Sequence, residues 1–289
     1  MSGLRLDRME IEEAGPNPER LAAAIHAQLD LDAGAVPVES IAKALDIVEI
    51  RHAPLIGFEG ALVMTDDRGI GAIAVNRASS RQRRNFTIAH ELGHFLDLRH
   101  RPAETANGFA CSRADLGRSW RGSFNARDRH VRQECEANRF AIELLAPIRL
   151  VRRHLRGIPD LERVLALSDA LGLSREASAR RYVELHERPC AVVFSREKQV
   201  RYFEAHAEFP ALSCTKGQRL SGLLPTVDSS GLSNREEADP QNWLRNPTRQ
   251  DLVVQTFAQR EGYSITLLAL DDRHEEEGVD DLEPFRLAR

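Results

Sequence analysis

His90, Glu91 and His94 stand in the stretch FTIAHELGHFLDLRH, residues 86–100, in the order H-E-x-x-H. On a helix, side chains four positions apart leave the same face one turn apart, so both imidazoles can bind one cation while Glu91 sits beside them. The chemistry that suits this arrangement is metal-assisted hydrolysis. The cation polarises a water and the carbonyl under attack, and Glu91 accepts the water proton and passes it to the leaving amine. Glu91 is then a base and not a ligand, and a third ligand has to come from elsewhere in the chain.

Two arrangements compete for that third ligand. His100 lies at the spacing of H-E-x-x-H-x-x-G-x-x-H, but Asp97 stands where that pattern needs a turn-making glycine. The same pattern is followed by a Met-turn, whereas Met1, Met9 and Met64 all precede the motif. The other arrangement takes a glutamate from a following helix. In HVRQECEANRFAIELLAP, Glu134 and Asn138 are four apart and share a face with Ala141 and Leu145. Glu134 can then reach the cation while Asn138 hydrogen-bonds a ligand histidine from behind. Glu136 projects from a different face of that helix and is the weaker candidate. Two histidines and a carboxylate with an open position form a catalytic zinc set, and manganese also fits these ligands. His130 and His154 are candidates, by residue type and nearness in sequence, for stabilising an oxyanion.

The elements that must position these residues are legible as patterns. NPERLAAAIHAQL and VPVESIAKAL carry apolar residues at helical spacing, with Pro18 and Pro37 near their starts. IVEIRHA, GALVMTDD and GAIAVNR read as three strands of a small mixed or antiparallel sheet, and the H-E-x-x-H helix follows directly. Gly93 inside that helix costs roughly 1 kcal/mol against alanine unless something approaches closely there, and a second packed helix would account for it. Residues 101–130 contain Pro102, Gly108, Gly117 and Gly122 together with Arg113, Arg118, Arg121, Arg127 and Arg129, which predicts an irregular, basic, solvated loop.

The helix HVRQECEANRFAIELLAP comes next, ended by Pro147. Between Ile148 and Glu187 the pattern is helical, and LERVLALSDALGLSREASARRYVEL resembles a helix-turn-helix with Gly172 at the turn and Ser174 as N-cap. Any two packed helices joined by a short glycine-containing turn give the same pattern. From Arg188 onward the texture is β: CAVVFSREKQVRYFEA and LVVQTFAQREGYSITLLAL each read as a hairpin around a polar turn. The acidic end DDRHEEEGVDDLEPFRLAR reads as disordered.

Composition sets the outer limits. At 289 residues, 42% hydrophobic and 29% charged, the chain has the balance of a soluble globular protein of two or three domains. A net charge of -4 excludes a globally basic nucleic-acid coat. The N-terminal stretch lacks the apolar core of a signal peptide, and no uninterrupted apolar run is long enough to span a bilayer, which predicts a cytoplasmic protein. Cys111, Cys135, Cys190 and Cys214 are dispersed and form no C-x-x-C pair, so they read as reduced, ordinary thiols.

With these residues in place, VNRASSRQRRNFTIAHELGHFLDL followed by ECEANRFAIELLAP resembles the ImmA/IrrE metallopeptidases, whose pattern pairs F-T-x-A-H-E-x-x-H with E-x-x-A/C-N-x-x-A-x-x-L-L-x-P. The resemblance covers residues 70–147. It implies His90, His94 and Glu134 as metal ligands, Glu91 as the catalytic base and Asn138 as the residue supporting a ligand. Ala146 stands where many relatives carry methionine. The layout of the remainder resembles the longer radiation-response branch of the family. The implied fold class is α+β: a zincin-like metallopeptidase domain at 1–147, a helical helix-turn-helix-like domain at 148–187, a β-rich GAF-like domain at 188–272, and an acidic tail at 273–289.

The implied function is a site-specific zinc endopeptidase that cleaves a helix-turn-helix repressor and switches on a stress or mobile-element regulon. The alternative is a DNA-binding or ligand-sensing transcriptional regulator with a non-catalytic metal site, in which Arg149, Arg152, Arg153 and Arg156 neutralise phosphates. Position alone suggests that loop 111–132 engages an acidic partner and that strand 71–75 pairs with an extended substrate segment.

Overall fold

The computed structural model describes residues 4–102, 108–118, 128–247 and 250–271. They fall into two compact units, one of residues up to 153 with 166–175, the other of 154–165 with the chain from 176 onward.

In the first unit, α1 (Arg8–Glu13), α2 (Pro18–Ala27) and α3 (Val38–Ala44) precede strands β1 (Ile47–Ala53), β2 (Gly60–Met64) and β3 (Gly71–Asn76). Asp7 and Asn17 cap the first two helices by accepting from Glu10 and Arg20 backbone N–H groups. Then come α4 (Arg81–Leu96), β4 (Gly108–Cys111), α5 (Arg113–Leu116), α6 (Arg129–Leu145) and α7 (Ile148–Val151). The sheet order is β1-β3-β2-β4, with β1 parallel to β3 and the other pairs antiparallel. Leu62, Ile73 and Val75 are buried on one face of the sheet, and Ile88, Leu92 and Phe95 of α4 are buried with them. α4 packs on β2 and β3 and also on α6, which in turn packs on α2. The histidine-bearing helix is therefore sandwiched, and its polar side chains are held in a dry interior.

Two expectations change here. The stretch 101–130 is not wholly irregular: β4 and α5 lie inside it. A four-residue strand is held by its pairing with β2 rather than by any pattern of its own, so periodicity could not reveal it. Strand β3 cannot accept a substrate segment, because β1 and β2 fill both of its edges. Among the described residues the edge strands are β1, which pairs only with β3, and β4, which pairs only with β2.

The second unit carries β5 (Cys190–Arg196), β6 (Gln199–Ala205), β7 (Glu236–Ala238), β8 (Asp251–Ala258) and β9 (Tyr263–Asp271), after α8 (Leu161–Leu171) and α9 (Arg175–Leu185). The sheet is antiparallel in the order β6-β5-β9-β8-β7. Both expected hairpins are present. The first turns at Glu197 and Lys198, whose positive φ angles of 50° and 60° match the twist of the strands they join. Ala191, Val193, Leu252, Val254 and Leu268 form a core with Phe209 and Leu220 from the long β6-to-β7 connection and Trp243 from the β7-to-β8 connection.

The helices of 148–187 do not form a unit of their own; the two units share them. So short a segment has too little interior to bury a core alone. Gly172 does turn the chain between α8 and α9, at φ 63°. The expected acidic tail and the arginines at 121 and 127 lie outside the described residues. No helix among the described residues is long and apolar enough to cross a membrane.

Candidate metal centre

α4 starts at Ser80, whose hydroxyl accepts from the Arg83 N–H. Its other end is held by a residue from another element. Arg68, in the turn between β2 and β3, is only 6% exposed and sits in the left-handed region at φ 54°. Its Nη1 donates to the carbonyls of His94 (2.8 Å), Phe95 (3.1 Å) and Asp97 (2.7 Å), and its Nη2 to that of His100. A helix leaves its last carbonyls without partners, and one guanidinium supplies donors to the group of them here. Arg8 stacks 4.5 Å from the Phe95 ring centre and donates to the Arg68 carbonyl at 2.8 Å, which secures the capping turn itself.

α6 starts at Asp128, whose carboxylate accepts from the His130 and Val131 N–H groups. The two helices meet at Gly93, where a Cβ would lie 2.9 Å from Cδ1 of Phe140. The second helix that the glycine called for is thus α6. Gly93→Ala is expected to cost about 1–3 kcal/mol, because it overpacks a dry helix contact. Urea unfolding of the metal-free variant measures this, and an unchanged midpoint would show that the contact has slack.

That close approach brings three donors together. Nε2 of His90 and Nε2 of His94 are 3.2 Å apart, and Glu134 places Oε2 at 3.2 Å from the first and Oε1 at 3.4 Å from the second. A tetrahedral zinc ion with bonds of about 2.0–2.1 Å needs ligand atoms about 3.3–3.4 Å apart, so the donor set fits. Oε2 of Glu134 has no hydrogen-bond partner although it is buried, as a carboxylate reserved for a cation would be. Both imidazoles are turned inward from behind. Nδ1 of His90 lies 2.9 Å from Oδ1 of Asn138, whose Nδ2 donates to the Asp115 carbonyl at 2.7 Å. Nδ1 of His94 lies 2.9 Å from Nδ1 of His100.

Glu91 is fully buried beside them, and neither of its oxygens is hydrogen-bonded. Burial pushes its carboxyl up to about 7, against the pull of His90. A base with its proton affinity near neutral is suited to taking and returning a proton. Burial likewise pushes His94 down to about 3, leaving a neutral imidazole. Burial opposes ionisation of Glu134, but the nearby His90 and His94 imidazoles prevail and hold it below the usual carboxylate range. Neutral imidazole and ionised carboxylate are the forms that bind cations.

The remaining candidates are distributed around this cluster. His130 lies one turn before Glu134 on α6, its Nδ1 3.6 Å from the Glu134 carboxylate, and is largely exposed. Glu136 faces away from the cluster and meets His100 and Arg99 instead. His154 belongs to the second unit. Cys111 was not foreseen: it is buried on β4 next to Glu91 and His90, and no local signal points to it while β4 is unrecognised. Burial, with the Glu91 charge next, raises its thiol well above its usual range, so it is not a thiolate. Phe109, also on β4, stacks on the His94 ring at 4.4 Å. The start of β2 abuts the base as well, since a Cβ at Gly60 would run into Thr87 and come 2.9 Å from Oε1 of Glu91. The basic stretch is partly committed to internal pairs, Arg113 with Glu59 and Arg118 with Asp115, each at 3.2 Å.

A search among curated proteins finds no match to the chain. Residues 46–182 match the family model described as the IrrE N-terminal-like domain, Peptidase_M78.

Proposed function

Residues 46–182 of this chain belong to the ImmA/IrrE metallopeptidases, and from that premise we propose a site-specific zinc endopeptidase that cuts a helix-turn-helix transcriptional repressor and so switches on a stress or mobile-element regulon. The observation that carries this reading is the convergence of His90, His94 and Glu134 within 3.4 Å, with an unpartnered Glu91 alongside. His90, His94 and Glu134 would hold the zinc, which would supply a Lewis acid for the attacking water and the scissile carbonyl. Glu91 accepts the proton of that water and delivers it to the leaving amine. Asn138 keeps the His90 ring aimed at the centre.

The edge of β4 that is unpaired among the described residues offers the substrate main chain a partner. Its residues Phe109 and Cys111 touch His94 and lie beside Glu91, so a segment paired there runs along the reacting groups.

The test is to incubate the zinc-loaded chain with the helix-turn-helix repressors encoded nearest its own gene and to measure intact masses. One defined cut, lost when a chelator removes the metal, is the expected result. Intact repressors throughout, with zinc bound, would overturn the choice of substrate.

The alternative of a DNA-binding regulator draws support from the exposed Arg149, Arg152, Arg153 and Arg156. The helix pair itself argues against it. A recognition helix needs an open face for the major groove, yet on α9 Ser178, Ala179, Tyr182 and Val183 are buried, and so are Arg180 and Arg181, which pair with Glu204 and Glu184.

A further inference from the structure

His100 lies behind His94, on the side away from the cluster, and is 1% exposed. Its Nδ1 faces Nδ1 of His94 at 2.9 Å, and its Nε2 faces Oε2 of Glu136 at 3.0 Å and Oδ2 of Asp97 at 3.3 Å. Arg99 lies 2.7 Å from the Asp97 carboxylate and 3.5 Å from that of Glu136. The backbone around the ring is fixed too, since the His100 N–H donates to the Asp97 carbonyl and Arg68 holds the His100 carbonyl.

Two ring nitrogens at this distance share one proton, so the direction of the bond has to be decided. Glu136 and Asp97 decide it. Their carboxylates are acceptors and call for a proton on Nε2 of His100, which leaves Nδ1 of a neutral His100 as an acceptor. The shared proton then sits on Nδ1 of His94, and Nε2 of His94 presents a lone pair to Glu134 and His90. The opposite polarity would aim a lone pair of His100 at two carboxylates. His90 is supported differently, by the neutral amide of Asn138.

We propose that His100 is a positioning residue: with Glu136 and Asp97 it fixes His94 in the tautomer that binds a cation and strengthens Nε2 of His94 as a donor. This rests on the reading of His90, His94 and Glu134 as a metal site.

The experiment measures zinc affinity of the full chain by competition with a chromophoric chelator, together with the visible spectrum of the cobalt-loaded protein. His100→Phe is expected to lower zinc affinity about 10–100-fold and to shift the cobalt bands. His100→Asn, whose amide oxygen keeps an acceptor towards His94, should recover most of the affinity. Glu136→Gln, a change of similar size at the end of the relay, should lose affinity several-fold with His100 in place, and it decides the matter should His100→Phe fail to fold. Parental affinity and spectrum in His100→Phe or in Glu136→Gln overturn the proposal. So does His100→Asn binding no better than His100→Phe, which would mark the effect as lost packing. Failure of the underlying reading has its own signature, equal zinc affinity in the parent and in His94→Ala, and it overturns both.

Discussion

On the proposed mechanism, Glu91→Gln is expected to bind zinc as the parent chain does and to cleave the proposed substrate about 10²–10⁴-fold more slowly, the range lost when a general base is removed. The amide matches the carboxylate in shape but cannot accept the water proton. The substitution is unusually clean here, because neither oxygen of Glu91 is hydrogen-bonded, so no internal bond is broken. Burial pushes this carboxyl up to about 7, so at neutral pH the fold holds an ionisable group that water would solvate better. A neutral amide should leave the metal-free protein at least as stable as the parent. Three readouts separate the roles: kcat/KM on the proposed repressor substrate, zinc stoichiometry and the thermal midpoint. Cleavage at the parental rate would remove Glu91 as the base. Loss of zinc from the variant would recast it as a ligand.

Arg68→Ala is expected to destabilise the metal-free protein by about 3 kcal/mol or more, which urea unfolding will read as a lower midpoint. One buried guanidinium serves the carbonyls of His94, Phe95, Asp97 and His100, and each buried acceptor left without a partner costs about 1–3 kcal/mol. Zinc affinity should fall with stability, since the segment released carries His94 and the His100 ring behind it. Arg68→Lys should recover less than half of the loss, because an ammonium has three donors and no planar fork. Arg68→Gly relieves the left-handed backbone at φ 54° yet is still expected to be less stable than the parent, which would show that the side chain outweighs the strain it imposes. An Arg68→Ala midpoint equal to that of the parent would mean that water caps the helix equally well.

What could be read from the sequence follows the range over which each residue's partners act. The two long helices announce themselves by periodicity, and the sharing of a face by Glu134 and Asn138 follows from their spacing on one of them. Gly93 pointed to a neighbour that proved to be Phe140 of that same second helix. Residues whose roles depend on remote chain segments stayed hidden. Arg68 sits in an ordinary-looking polar turn, and nothing near it in sequence says that it reaches the end of α4. β4 is too short to carry a pattern, so Cys111 and Phe109 were invisible as neighbours of Glu91 and His94. His100 was visible as a spacing, but the direction of its ring depends on Glu136, which another helix supplies. The division of 148–187 between two units was likewise beyond local pattern, because its helices are shared between separate cores.

If His94 and Glu134 hold one cation, as proposed, their placing on two different helices makes the site a removable crosslink. A cation joining them ties off the intervening loop much as a disulfide would, and a chelator acts on the chain as a reductant acts on such a bond. At a free zinc level one hundred times the dissociation constant, that tie contributes about 2.7 kcal/mol to the folded state. Zinc supply would then govern how long each molecule survives as well as whether it can cut.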